Sequence, residues 1–271
     1  MGKVFLIDIA KCNGCYSCQC ACKDEHVEND WMPYNRLQPA YGQFWFKLQE
    51  IIRGTTPKIK AAYVPLMCMH CDDAPCMKSC PVDAINKRPD GLVIIDPAKC
   101  NGCMLCVEAC PYGAIYYNND LKLAQKCTGC AHLLDRGWPI KEPRCVDACI
   151  TDMLRFGEEE DFSADIAKSE AYPTLSGEPA PKVRVHYQNL PKRFIAGTVY
   201  DPGTEEVVIG ATCTLSGADS GTAVTDEFGD FWFEGIAVGE YSVKIEKDGK
   251  TLTRDNINTE KDVNLGNLAL S

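Results

Sequence analysis

The sequence contains no apolar run approaching the ~20 residues of a membrane span. Its first residues, Met-Gly-Lys-Val-Phe-Leu-Ile-Asp, offer neither a hydrophobic leader core nor a twin-arginine pair. Direct membrane insertion is therefore not expected. The cytoplasm is the expected compartment, with a periplasmic site reached by co-export with a signal-bearing partner as the alternative. Basic excess is missing too: a net charge of −10 and a pI near 5.0 exclude the cationic footprint that nucleic acid selects. Histidine is scarce. His26, His70, His132 and His186 are scattered, and no phosphate loop, dinucleotide fingerprint or nucleophile elbow accompanies them. His70 and His132 lie beside cysteines, where contacts to sulfur or simple packing are expected rather than acid–base work.

Cysteine is nearly absent from the C-terminal part, where Cys213 stands alone after Cys149. That makes the excess before it informative, because 17 of the 18 cysteines precede residue 150. A disulfide-stapled fold spreads its cysteines and avoids tandem Cys-x-x-Cys steps, which are too short to bridge without strain. Here they form four quartets: Cys12, Cys15, Cys18, Cys22; Cys68, Cys71, Cys76, Cys80; Cys100, Cys103, Cys106, Cys110; and Cys127, Cys130, Cys145, Cys149. Lys-Cys-Asn-Gly-Cys occurs at 11–15 and again at 99–103, and Lys-Cys-Thr-Gly-Cys at 126–130, so one structural unit has been copied. Pro81 and Pro111 close the second and third quartets, whereas Lys23 follows the first.

The spacing is that of bacterial ferredoxins, in which three thiolates serve one [4Fe–4S] cluster and the fourth reaches another. Applied to the two inner quartets, this rule assigns Cys68, Cys71, Cys76 and Cys110 to cluster C, and Cys80, Cys100, Cys103 and Cys106 to cluster D. Applied to the outer quartets, it gives cluster A (Cys12, Cys15, Cys18, Cys149) and cluster B (Cys22, Cys127, Cys130, Cys145). Zinc is the rival, because Cys-x-x-Cys knuckles also build tetrahedral thiolate sites. Zinc ribbons, however, have no use for a third cysteine three residues on and a fourth beyond it. Cys20 is expected to pack beside cluster A and Cys213 to be a small core residue.

These features predict an α+β fold: two nested ferredoxin-like two-cluster modules over residues 1–160, then a small all-β sandwich. The first part carries an aromatic insertion at 29–66, containing Trp31, Tyr34, Tyr41, Phe44, Trp45 and Phe46. It reads either as a packed flap over cluster A or as a partner interface. Residues 161–193 read as linker and extended arm. The acidic run Glu158–Asp161 suits a helix start reaching to about Glu170, and Pro173, Gly177, Pro179 and Pro181 then break the chain before Lys182–Tyr187 alternates. Residues 194–271 show strand-like runs at Ile195–Tyr200, Ala211–Leu215, Phe231–Phe233, Tyr241–Ile245 and Val263–Leu268, separated by turn formers. The segment from Thr225 to Phe233, with Gly239–Val243, resembles the prealbumin-like or collagen-adhesin B-type sandwich, for which docking or stability is the expected role.

The order and gaps of the quartets are distinctive. With the Cys68-x-x-Cys-x-x-x-x-Cys-x-x-x-Cys-Pro run and the phrase Lys126-Cys-Thr-Gly-Cys-Ala-His-Leu-Leu, they resemble the four-cluster iron–sulfur (beta) subunit of the dimethyl-sulfoxide-reductase family of molybdenum enzymes. The resemblance runs from residue 3 to about residue 190. It implies four [4Fe–4S] clusters on the ligand sets above and no active site on this chain. It also implies docking on a large subunit that holds a bis-molybdopterin guanine dinucleotide cofactor with molybdenum or tungsten. The added sandwich and the arm Lys182-Val-Arg-Val-His-Tyr-Gln-Asn-Leu are similar to the transhydroxylase branch, which implies polyhydroxylated aromatic substrates. Transhydroxylation needs no net electrons, whereas an intact row of four clusters implies net redox turnover, so hydroxylase or dehydroxylase chemistry is expected beside it. The alternatives are a respiratory reductase subunit (sulfoxide, polysulfide or arsenate) and a free-standing polyferredoxin. The sandwich and the insertion weigh against the last, since a mobile carrier has little need of extra docking surface.

Overall fold

The computed structural model describes residues 2–177 and 181–271, so Pro179 of the expected linker lies outside the described residues. The chain divides into two compact units, Met1–Glu50 with Tyr63–Leu190, and Ile51–Ala62 with Pro191–Ser271. No described helix is long and apolar enough to cross a membrane.

In the first unit the strand Lys3–Asp8 is the centre of a three-stranded sheet. Val4, Phe5, Leu6 and Ile7 are all buried, and an unbroken apolar run is what a strand covered on both faces requires. Leu154–Glu158 pairs antiparallel on one side, with Leu154 opposite Ile7. Val185–Gln188 pairs parallel on the other, with Val185 opposite Phe5. The extended arm is therefore a strand. Arg184 fixes it further by donating to Asp72 at 2.7 Å and to Glu159 at 3.2 Å. The helix expected toward Glu170 is only a 3-10 turn, Glu159–Phe162, and a single helical turn, Ser163–Ile166. Neither buries a residue, so no packed face extends them.

Elsewhere this unit uses short pieces. Hairpins Ile85–Lys87/Val93–Ile95 and Tyr116–Asn118/Leu123–Gln125 alternate with helical turns Pro75–Lys78, Leu105–Glu108, Ala131–Asp135 and Arg144–Asp147. Pro81 and Pro111 follow two of these turns and push the preceding cysteine out of the helical region. At the equivalent place Lys23 imposes no such stop, and the helix Ser17–His26 runs for ten residues.

The second unit is a sandwich of two sheets. One holds Asp230–Ile236, Arg193–Tyr200 and Val263–Ala269 in that order; the other holds Gly221–Val224, Thr212–Gly217, Glu240–Lys247 and Lys250–Asn258. Alternate residues face the core: Tyr241, Val243 and Ile245 on one strand, Cys213 and Leu215 on another, Phe231 and Phe233 on a third. Cys213 is fully buried there. Two strands, Gly221–Val224 and Lys250–Asn258, lack a readable apolar alternation because most of their residues are exposed. The tip of the hairpin formed by Phe46–Thr55 and Lys58–Met67 also belongs to this unit. The buried Lys58 pairs with Asp230, Arg53 donates to Asp262 at 3.1 Å, and the Lys60 ammonium sits 4.7 Å from the Trp232 ring centre. The 29–66 insertion is thus divided between the two units.

Candidate iron–sulfur sites

The two Lys-Cys-Asn-Gly-Cys copies fold alike. The side chains of Asn13 and Asn101 accept the backbone N–H of Cys15 and Cys103, each at 3.2 Å. Gly14 and Gly102 then take left-handed φ values of +72° and +71°. A Cβ at Gly14 would stand 2.6 Å from the Tyr63 ring, and one at Gly102 would stand 2.3 Å from the Lys122 carbonyl oxygen. Conformation and space both demand glycine. Tyr16 and Met104, also left-handed, then start the helices that carry Cys18 and Cys106. A second recurring turn follows Cys80 and Cys110. The Ala84 N–H donates back to the Cys80 sulfur at 3.3 Å, and the Ala114 N–H to the Cys110 sulfur at 3.4 Å. Ligand spacing does not announce this turn, but the repeated Cys-Pro-x-x-Ala does.

No disulfide joins any of the 18 cysteines. Sixteen of them gather as four groups of electrostatic neighbours. In group A, burial pushes Cys18 up to about 12, reinforced by Cys149, Cys12 and Cys15. In group B, burial raises both Cys22 and Cys145 well above the ordinary thiol value. Cys127 and Cys130 add to the first, and Cys22, Cys130 and Cys127 to the second. In group C, Cys71 rises to about 12 through burial, then Cys68, Cys76 and Cys110. In group D, Cys106 rises to about 11 through burial, then Cys100, Cys103 and Cys80. In each expected set, one thiol feels the charge of the other three.

The groups also form a series. Cys18 acts on Cys22 and Cys145, linking A to B; Cys68 acts on Cys127, linking B to C; and Cys106 acts on Cys76, linking C to D. Burial follows the same order. Every thiol of B is buried, as are Cys68, Cys71 and Cys76 of C, while the exposed thiols among the sixteen are Cys15 in A and Cys103 in D. Exposed Cys15 is the reverse of its buried neighbours, held below the ordinary value by hydrogen bonding to Ser17.

Cys20 is exposed rather than packed beside group A. It lies two residues from both Cys18 and Cys22, which puts it on the opposite face of their helix. The aromatic insertion packs around group B as well as group A. Trp45 packs on His26, with ring centres 4.8 Å apart, and Trp31 stacks on His132 at 4.7 Å. His26 Nε2 lies 3.8 Å from the Cys130 sulfur, so these tryptophans cover the surroundings of group B. Tyr63, against Gly14, is the part of the insertion that reaches group A. His26 is held neutral, its pKa lowered to about 3 by burial and by His132, while His132 Nε2 bonds Glu25 at 2.9 Å.

Several observations fit an iron–sulfur cluster. His70 Nδ1 accepts the Val93 N–H at 2.9 Å, and burial, then Lys126, keep the ring neutral. The proton therefore sits on Nε2, which is buried without a partner, and the Thr128 hydroxyl between Cys127 and Cys130 is orphaned likewise. Buried polar groups without partners are costly, and cluster sulfides are acceptors. Buried thiols disfavoured as free thiolates are deprotonated outright once they coordinate metal. Among the described residues, no three His, Cys, Asp or Glu side chains stand close enough to hold one metal ion. The four groups are electrostatic neighbours rather than closed single-ion shells.

Known proteins share both halves of the chain. Residues 59–159 match the 4Fe-4S dicluster domain family and residues 195–271 the carboxypeptidase regulatory-like domain family. The pyrogallol hydroxytransferase small subunit of Pelobacter acidigallici is 36% identical over 98% of this chain and 98% of its own length. A tetrathionate reductase subunit of Salmonella typhimurium is 33% identical over 70% of this chain and 73% of its own. A component of the anaerobic dimethyl sulfoxide reductase of Escherichia coli is 38% identical over 56% and 72%. The ferredoxin-like part carries [4Fe–4S] clusters, and the sandwich is of the prealbumin-like, carboxypeptidase-regulatory kind. With its thiol groups, its sandwich and a relative matched over nearly its whole length, the chain belongs to the iron–sulfur electron-transfer subunits of the dimethyl-sulfoxide-reductase family of molybdenum enzymes, alongside the small subunit of pyrogallol hydroxytransferase.

Proposed function

We propose that this chain is the electron-carrying subunit of a molybdenum or tungsten enzyme acting on polyhydroxylated aromatics. The catalytic site, with its bis-molybdopterin guanine dinucleotide, belongs to a large partner subunit, and this chain contributes no catalytic residue. The observation that carries this reading is the series of thiol groups, buried in the middle and exposed at both ends.

In this reading Cys12, Cys15, Cys18 and Cys149 hold the cluster at one end. Cys22, Cys127, Cys130 and Cys145 hold the next, Cys68, Cys71, Cys76 and Cys110 the third, and Cys80, Cys100, Cys103 and Cys106 the last. Each quartet lends a thiol to its partner's site, giving one two-cluster module nested inside another. Each bound cluster supplies storage for a single electron. The buried thiols of the middle pair keep water away, while Cys15 and Cys103 leave the two ends open for electron entry and exit.

The substrate class rests on the hydroxytransferase small subunit, whose likeness extends over 98% of this chain, whereas that of the two reductase components covers 70% and 56%. A four-cluster series serves net electron flow, which favours a hydroxylase or dehydroxylase over transhydroxylation.

Iron and acid-labile sulfide in the purified complex test the assignment. Replacing Cys103 by serine should lower both by about four per chain, the content of one cubane, and interrupt donor-dependent turnover. Zinc without labile sulfide would overturn the metal assignment. Steady turnover of an aromatic with no external donor or acceptor would replace net redox chemistry by transhydroxylation.

A further inference from the structure

Three copies of Lys-Cys-x-Gly-Cys place a lysine before a ligand loop, and the three lysines meet different fates. Lys11 and Lys99 are exposed, the usual state of a solvated ammonium. Lys126 is 2% exposed. Its ammonium donates to the carbonyl oxygens of Val93 and, at 3.1 Å, Cys127. No carboxylate among the described residues pairs with it. A buried ammonium with only carbonyls for company is strongly unfavourable, so a counter-charge is required nearby.

The same two bonds place it between the inner groups. Cys127 belongs to group B, and Val93 donates its N–H to His70 Nδ1 at 2.9 Å, in the loop between Cys68 and Cys71 of group C.

We propose that the Lys126 ammonium is an electrostatic link shared by inner clusters B and C, holding both at higher reduction potential than their burial would otherwise allow. The proposal rests on the four-cluster reading. Reduction adds one negative charge to a site that is already anionic, and a fixed cation in a poorly screened interior stabilises the reduced form more than the oxidised one. Without it, the two buried clusters would be the hardest to reduce, a barrier in the middle of the series. The end clusters, with exposed Cys15 and Cys103, have water for that purpose.

The test is an EPR-monitored redox titration of the intact complex carrying Lys126→Met, Lys126→Arg or Lys99→Met, with iron and sulfide counted in each. In Lys126→Met, two of the four clusters should become at least tenfold harder to reduce, about 59 mV for a one-electron centre, and the other two should keep their potentials. Lys126→Arg should restore both, and Lys99→Met should move none. Full cluster content with unchanged potentials in Lys126→Met overturns the proposal, as does an equal shift of all four clusters. Should Lys126→Met lose clusters, retention by Lys126→Arg supports a requirement for charge, whereas loss in both variants shows a packing role and overturns it. Absence of iron and sulfide from the unmutated complex would instead sink the four-cluster reading itself.

Discussion

In the sandwich, Ile195, Val199, Leu215, Phe231, Val243, Ile245 and Leu268 form a continuous hydrocarbon core between two sheets. In the first unit, buried thiols occupy much of the corresponding interior: Cys18, Cys22, Cys68, Cys71, Cys76, Cys106, Cys127, Cys130 and Cys145. Its helical turns at 75–78, 105–108, 131–135 and 144–147 are four or five residues long, too short to persist without tertiary partners. One region closes its core with hydrocarbon side chains, while the other divides its interior between apolar side chains such as Phe5, Leu6 and Leu92 and the thiols.

Iron removal is the harshest way to test that contrast. Chelation under mild oxidation should abolish amide protection in the short helices between Pro75 and Asp147, because metal binding and folding are coupled where the site is the core. Hydrogen exchange across the strands from Arg193 to Ala269 should stay slow. Persistent protection in the first unit would show that its apolar residues suffice. From the other side, Phe231→Ala should cost the sandwich about 3–5 kcal/mol in denaturant unfolding, with the cluster EPR spectrum unchanged.

A smaller effect is expected at the hairpin tip within the second unit. Lys58→Met leaves Asp230 without its cation, with only the Thr198 hydroxyl still donating to it, and should cost about 1–3 kcal/mol. The same pair predicts a pH dependence. Burial alone would raise the Asp230 carboxyl, but the bonds from Lys58 and Thr198 outweigh it and hold the group below the usual carboxylate range. Its contribution is therefore complete above the unfolded carboxylate value of about pH 4 and is lost as pH falls through the lower folded value. Protection of the amides at 51–62 should follow that acid loss in the unmutated chain and depend less on pH in Lys58→Met. The smallest change is Lys250→Ala, which removes a part-exposed 2.6 Å pair with Asp201 and should leave the denaturant midpoint of the sandwich almost unmoved.

The thiol groups were legible because ligand chemistry acts locally: it imposes Cys-x-x-Cys steps, a glycine at a left-handed position and a proline after the last ligand. Five sandwich strands were legible from apolar alternation between turn formers. What the sequence hid depends on distant partners. Lys11, Lys99 and Lys126 share one local motif, yet only the strand at Val93 determines which is buried. Nothing within the insertion says that Trp31 stacks on His132 or that Lys58 pairs with Asp230.

Cys18 and Cys22 lie four residues apart on the helix Ser17–His26, one belonging to group A and the other to group B. Four residues climb about 6 Å, and adding or removing one would swing the second thiol by about 100°. In the four-cluster reading, the spacing between clusters A and B is therefore gauged by one helical turn that tolerates no insertion. Substitutions around either thiol can retune its surroundings, while the rise between the two is set by the backbone alone.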